Sequence, residues 1–148
     1  MAFRKSYNPR AVVVLVGPLG APVPILGLSD SDDSIQASMN EELFDDPDMD
    51  LSGEFGRHIE NANQSGNITL EVKNSSPSLS ILQTYVDGRL PLEVVIKDST
   101  TMMAGVIGND GRAVVPEFVR GKRPANPTFV IKCTKLKINH DGPRTSPI

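Results

Sequence analysis

Glycine and proline punctuate this chain too often for long helices to survive. Twelve of each are spread along its 148 residues. Proline breaks a helix, and glycine costs about 1 kcal/mol inside one. The chain is therefore expected to be mainly β, with short apolar runs between turns. Its hydrophobic share of 39% is enough for one core, and its length suits one domain spanning 1–148 with extensions at 1–9 and 139–148. No run approaches the roughly 18 apolar residues of a membrane helix. The apolar run after Arg4, Lys5 and Arg10 is short and ends at Pro18, so the chain is expected to be made and used without translocation or membrane binding. A single cysteine, Cys133, excludes an intrachain disulfide.

The clearest strand is Asn67–Lys73, where Ile68, Leu70 and Val72 alternate with Thr69, Glu71 and Lys73. Ala11–Val16 reads as a strand buried on both faces, and Val23–Leu26, with two prolines close by, as a short edge strand. Ser34–Asn40 alternates as a half-buried strand. Leu92–Lys97, Thr101–Ile107 and Thr128–Ile138 complete the set, the last with a phase slip near Thr134 that predicts a bulge. Gly108-Asn109-Asp110-Gly111 has the composition of a tight turn. One helix is predicted over about 76–87, with Ser76 as N-cap, Pro77 in its first turn and Gly88 as its stop. Leu79, Leu82 and Val86 fall on one face and should dock it. The sum is an antiparallel β-sandwich or barrel with one flanking α-helix.

Charge is unevenly spread. Asp30–Glu60 holds eleven acids against Arg57 alone, a net charge of −10, whereas Arg112–Arg144 holds eight cations against Glu117 and Asp141, a net charge of +6. Such runs are commonly solvated surface. Opposite patches on one chain also suit head-to-tail contact between copies, which builds rings or filaments. Within the acidic stretch, about 41–58 is expected to be a long loop, partly ordered in the monomer, because Leu43, Phe44, Met49, Leu51 and Phe55 show no period. Nucleic-acid binding by the basic stretch is disfavoured by its shortage of aromatics, with only Phe118 and Phe129 nearby.

The catalytic inventory is nearly empty. Asp46, Asp48 and Asp50 have the spacing that opens a calcium loop, but Leu51 stands where that loop needs glycine and Arg57 where it needs glutamate. His58 and His140 lie in no metal-binding spacing, Cys133 falls on the apolar side of a strand, and no phosphate-binding glycine loop is present. An enzyme, a metal site and a cofactor are not expected.

The order of elements resembles phage tail tube proteins, in particular the small tube subunit of contractile-tailed phages. The resemblance covers roughly residues 10–140. It rests on the apolar first strand near Val12–Val16, the strand at Ser34–Met39 followed by the acidic excursion, and the closing strand near Phe129–Ile138. Its most specific part is Ser65–Pro77: a Ser-Gly turn, an alternating strand, and Ser-Pro opening a short helix. The resemblance implies a non-enzymatic virion protein, assembled in the host cytoplasm. Six copies would form a ring, and stacked rings a hollow tube through which DNA passes at ejection. The implied partners are the sheath, tape-measure, baseplate and tail-terminator proteins. The type VI secretion tube shares this architecture. A baseplate or tail-end ring, and a β-sandwich binding module, are the alternatives.

On this reading Glu41, Glu42, Leu43, Phe44, Asp45, Asp46, Asp48 and Asp50 are expected at an interface between subunits or rings, with Arg120, Lys122 and Arg123 as their basic partner. A bore that passes DNA should not hold phosphate, so Gln36, Ser38, Thr69 and Glu71 are the candidates to line it.

Overall fold

A computed structural model describes residues 9, 12–18, 22–30, 33–98 and 105–140. Residues 1–8 and 141–148, most of the two expected extensions, and the start of the strand expected at Thr101 lie outside them. The described chain forms nine strands and one helix: β1 (Val12–Gly17), β2 (Val23–Pro24), β3 (Ile35–Met39), β4 (Phe44–Met49), β5 (Gly56–Glu60), β6 (Gly66–Glu71), α1 (Leu79–Gly88), β7 (Leu92–Asp98), β8 (Gly105–Val114) and β9 (Thr128–Asn139). Seven strands make one antiparallel sheet in the order β2-β1-β7-β8-β9-β6-β3, while β4 and β5 pair only with each other. The fold is mainly β, as the sequence predicts.

Alternation builds the core. Ile68, Leu70 and Val72 on β6 and just beyond it are fully buried, and Val14, Val16, Leu92, Val94, Phe129, Ile131 and Cys133 join them in one cluster. The sheet curls on itself, because the seven residues after Pro22 bond to strands far apart in its order. The Ile25 amide donates to Val14 on β1 (2.8 Å), while Gly27 and Ser29 bond the end of β6 and the chain just past it (Lys73 N to Gly27 O, 2.8 Å; Ser29 N to Glu71 O, 2.9 Å). Gly27 makes this crossing possible: its φ is +71°, and a Cβ there would sit 2.9 Å from the Ser76 side chain.

Helix α1 closes the core with Leu82 and Val86, each worth roughly 1.5–3 kcal/mol when fully buried. Leu79 packs half-buried beside them. The expected helix boundaries shift. The N-cap is Ser78, and Ser76 and Pro77 precede it. Ser76 Oγ instead donates to the Leu26 carbonyl and accepts from the Ser78 amide (3.1 Å), and buried Ser78 Oγ accepts from the Leu26 amide (2.9 Å). The two serines thus spend their hydroxyls tying the helix start to the crossing segment. At the other end, Gly88 is the last helical residue and Arg89 takes the left-handed turn (φ 50°).

Three other expectations need correction. Strand β1 is not buried on both faces: Val13 is 39% exposed and Leu15 half-buried, because an antiparallel sheet needs cover on one side only. Gly108–Gly111 is no turn but the middle of β8. A bulge against β7 falls there, between Val94↔Gly108 and Leu92↔Gly111, with Asp110 at φ 50°. Gly108 is needed for packing, since a Cβ would lie 2.7 Å from Cys133 Sγ and 2.9 Å from Ile68 Cδ1. The phase slip near Thr134 is present, and it is shared: β9 buries Cys133 and then Leu136, and β8, in unbroken register with it, buries Gly108 and then Gly111.

The third correction concerns 41–58, which is an ordered hairpin and not a loop. Strands β4 and β5 pair from Phe44↔Glu60 to Met49↔Gly56, and a bulge between Asp45 and Asp48 absorbs Pro47, which has no amide to give a ladder.

Candidate assembly surfaces

The hairpin is an arm carried by the sheet. Beyond Met39↔Gly66 the β3–β6 pairing continues through Asn40 N to Ser65 O (3.0 Å) and Asn61 N to Leu43 O (2.9 Å) into β4 and β5. At about 3.3 Å per residue, Asn40 to Asp50 reaches roughly 30 Å. Every residue of both strands is exposed. Its large apolar side chains, Leu43, Phe44, Met49, Leu51, Phe55 and Ile59, are exposed as well. They show no period because none of them is buried in the core.

Local polar chemistry shapes the arm. Asp50 closes its tip: the carboxylate accepts from Ser52 Oγ (2.6 Å) and from the amides of Phe55 (3.0 Å) and Glu54 (3.1 Å). The Ser52 hydroxyl and then the Phe55 amide hold its pKa below the ordinary carboxylate value. Asp48 pairs with Arg57 (3.2 Å), and the Phe44 and His58 rings lie 5.7 Å apart. Asp48 and Asp50, two of the candidate calcium residues, are thus engaged within the arm. Among the described residues, no group of three or more His, Cys, Asp or Glu is placed to hold a metal.

The region expected to be the arm's basic partner is a second exposed surface. Val115, Phe118 and Val119 are exposed, with Phe118 at 79%. The Arg120 guanidinium lies 4.4 Å over the Phe118 ring and donates to the Val119 carbonyl (2.8 Å), so a cation is fixed on an aromatic face. A short bridge between Arg120 and Pro124 presents Lys122 and Arg123 in the turn between them. Beside this turn a groove of about 500 Å³ runs between α1 and the 115–127 segment.

The structure brings the candidate lining residues together. Gln36 is paired with Thr69 and Ser38 with Asn67, on the side of the sheet turned away from the core. Glu71 lies on the same side at the end of β6. The same face also carries two cations of the basic stretch that the sequence analysis does not place there. Asn67 is paired with Lys132, and Lys132 with Arg112, so one row runs Ser38–Asn67–Lys132–Arg112 from neutral to cationic. The signal was available: Lys132 alternates with Ile131 and Cys133, which are buried. Arg112 is held by Asp110 (2.6 Å). Cys133 is a core residue, its thiol pushed up to about 11 by burial and then by the charge of Asp110.

No family model matches the sequence, and no curated protein matches it. Solved structures do match. The chain aligns with one from the tail of an empty GTA particle, refined helically with C6 symmetry (TM-score 0.60, 16% identity, covering 90% of this chain and 99% of that one). It aligns with a chain from the anti-feeding prophage cap, the AFP tube terminating cap (TM-score 0.58, 15% identity, 94% of each chain). A third match is from the PVC sheath/tube terminator of an extracellular contractile injection system in its extended state (TM-score 0.52, 14% identity, 93% of this chain and 99% of that one). The chain shares its fold with tail components. At these identities the likeness is one of fold, and it extends over nearly the whole chain.

Proposed function

We propose that this protein is a structural subunit of a phage tail or phage-like injection particle, and that its copies form stacked, six-membered rings of a hollow tube. The observation that carries this reading is a single chain with a tail-component fold and two exposed surfaces of opposite charge, each studded with apolar side chains. A two-stranded hairpin alone is marginal in water. An arm that exposes six large apolar residues gains most by lying against another molecule. Residues 41–50 of the arm are the contact between subunits or rings, and Arg120, Lys122 and Arg123 belong to the surface that receives them. Contact between different patches of identical copies is heterologous, the kind that closes rings or extends filaments.

In such a tube the bore side is the half of the outward sheet face borne by β3 and β6, with Gln36, Ser38, Thr69 and Glu71. A cationic lining would hold phosphate at each ring, so Lys132 and Arg112 fall toward the neighbouring copy. Sheath, tape-measure, baseplate and terminator proteins are the partners such a tube has in a virion. A tail-end ring is the second reading, favoured by the matches to the cap and terminator structures.

Negative-stain microscopy of the concentrated pure protein separates the two. A tube subunit gives long filaments of uniform bore, and an end ring stops at one layer. A protein that stays monomeric at every concentration contradicts both. Changing Asp45, Asp46 and Asp48 to Lys should leave a soluble monomer that forms neither, and unchanged assembly would refute the role given to the arm.

A further inference from the structure

We infer that the groove between α1 and the 115–127 segment is the seat for the arm tip of a second copy of this chain, with Leu51 and Phe55 as the side chains that enter it. The inference rests on the self-assembly reading above and names the site and the anchors.

The groove has the right lining. Leu79, Val115, Pro116, Phe118, Ala125 and Pro127 make it largely apolar, and its volume of about 500 Å³ accepts an aromatic side chain with a neighbour. It has no convergent set of unsatisfied buried polar side chains of the kind that orients a small ligand, since every buried side-chain polar atom described has a partner. Its lining carries Arg120, fixed over Phe118, and the acid Glu117, and Lys122 and Arg123 in the adjoining turn make the neighbourhood net cationic.

The tip has the complementary chemistry. Leu51 is fully exposed and Phe55 is 73% exposed, the two projecting from one tight turn. That turn is built in advance, by Asp50 and by the bond from Asp50 N to Phe55 O (2.9 Å), so less conformational freedom must be lost on docking. The tip has no seat in its own chain, because the shallow depression there is bounded by Asp48, Met49, Asp50, Phe55, Gly56 and Arg57, all of the arm itself. With Asp50 engaged in the turn and Asp48 on Arg57, Glu54 is the tip carboxylate available to meet Arg120. An apolar anchor ringed by opposite charges is the arrangement that carries most energy in protein interfaces.

The test mixes two singly substituted full-length proteins, Leu51→Cys and Gln83→Cys, the second on the helix side of the groove. Native Cys133 is buried with a raised pKa and stays silent. Under mild oxidation the mixture should give a disulfide-linked dimer of one copy of each, found in the assembled fraction. Assembly without that cross-link overturns the inference, assigning the groove to another occupant and leaving the self-assembly reading standing. Absence of any assembly by the unsubstituted protein overturns both. A charge swap checks the rim: Glu54→Arg and Arg120→Glu should each weaken assembly at least tenfold, and the two together should restore it. Failure of the pair to restore assembly contradicts the contact between Glu54 and Arg120.

Discussion

Strands β4 and β6 are six residues each, both in antiparallel pairs, and they behave as opposites. In β6 every second side chain is buried, and Ile68 and Leu70 are sealed in the core. In β4 none is. The same backbone ladder is therefore held in two ways. Strand β6 is held by burial, which the chain supplies itself. Strand β4 is held by its ladder, a bulge and the Asp50 turn, and it lacks the apolar cover that normally makes a hairpin stable. This difference between a self-buried strand and a greasy, acidic arm is what the proposed contact with another copy would explain.

The largest expected difference between the regions is in the core. Ile68→Ala should cost about 2–5 kcal/mol of stability in denaturant unfolding, whereas Leu51→Ala should fall within about 0.5 kcal/mol in the monomer. Equal costs would break the comparison. Gly108→Ala comes next, at about 1–3 kcal/mol, because the added methyl meets Cys133 and Ile68; a thermal melt reads it. Ser78→Ala should follow with about 1–2 kcal/mol, since it strands the Leu26 amide at the buried helix start. The smallest effect concerns pH. The carboxylate of Asp50 has a folded pKa below the ordinary 3.8. Its contribution to the tip turn is complete above that ordinary value and is lost as pH falls through the lower folded one. An NMR titration should show the Phe55 amide shifting only in that acid range, and Asp50→Asn should remove the transition without unfolding the body.

What was legible in the sequence follows the same division. Strands that bury one face announce themselves, so Ile68, Leu70 and Val72 were readable, as were Leu82 and Val86 on the helix. The arm was not readable as strands. Its apolar residues are exposed and take no part in the core, so they carry no period. Gly108–Gly111 misled for a different reason: the turn chemistry of Gly-Asn-Asp-Gly was overridden by packing, because the glycines are required where β8 passes close to Cys133 and Ile68. Ser76 has the look of an N-cap, but its hydroxyl is committed to Leu26, a partner fifty residues away that local reasoning cannot see. Of the assembly surfaces, the charge asymmetry was plain in composition. The groove was not, because its lining comes from α1 and from a segment more than thirty residues later in the chain.

Hydrogen exchange across residues 44–60 at low and high protein concentration tests the central claim most directly. The account predicts fast exchange of the arm amides in the monomer and strong protection on assembly, while the amides of β6 are protected throughout. Arm amides that are already protected in the monomer, or that gain no protection in the assembly, would contradict it.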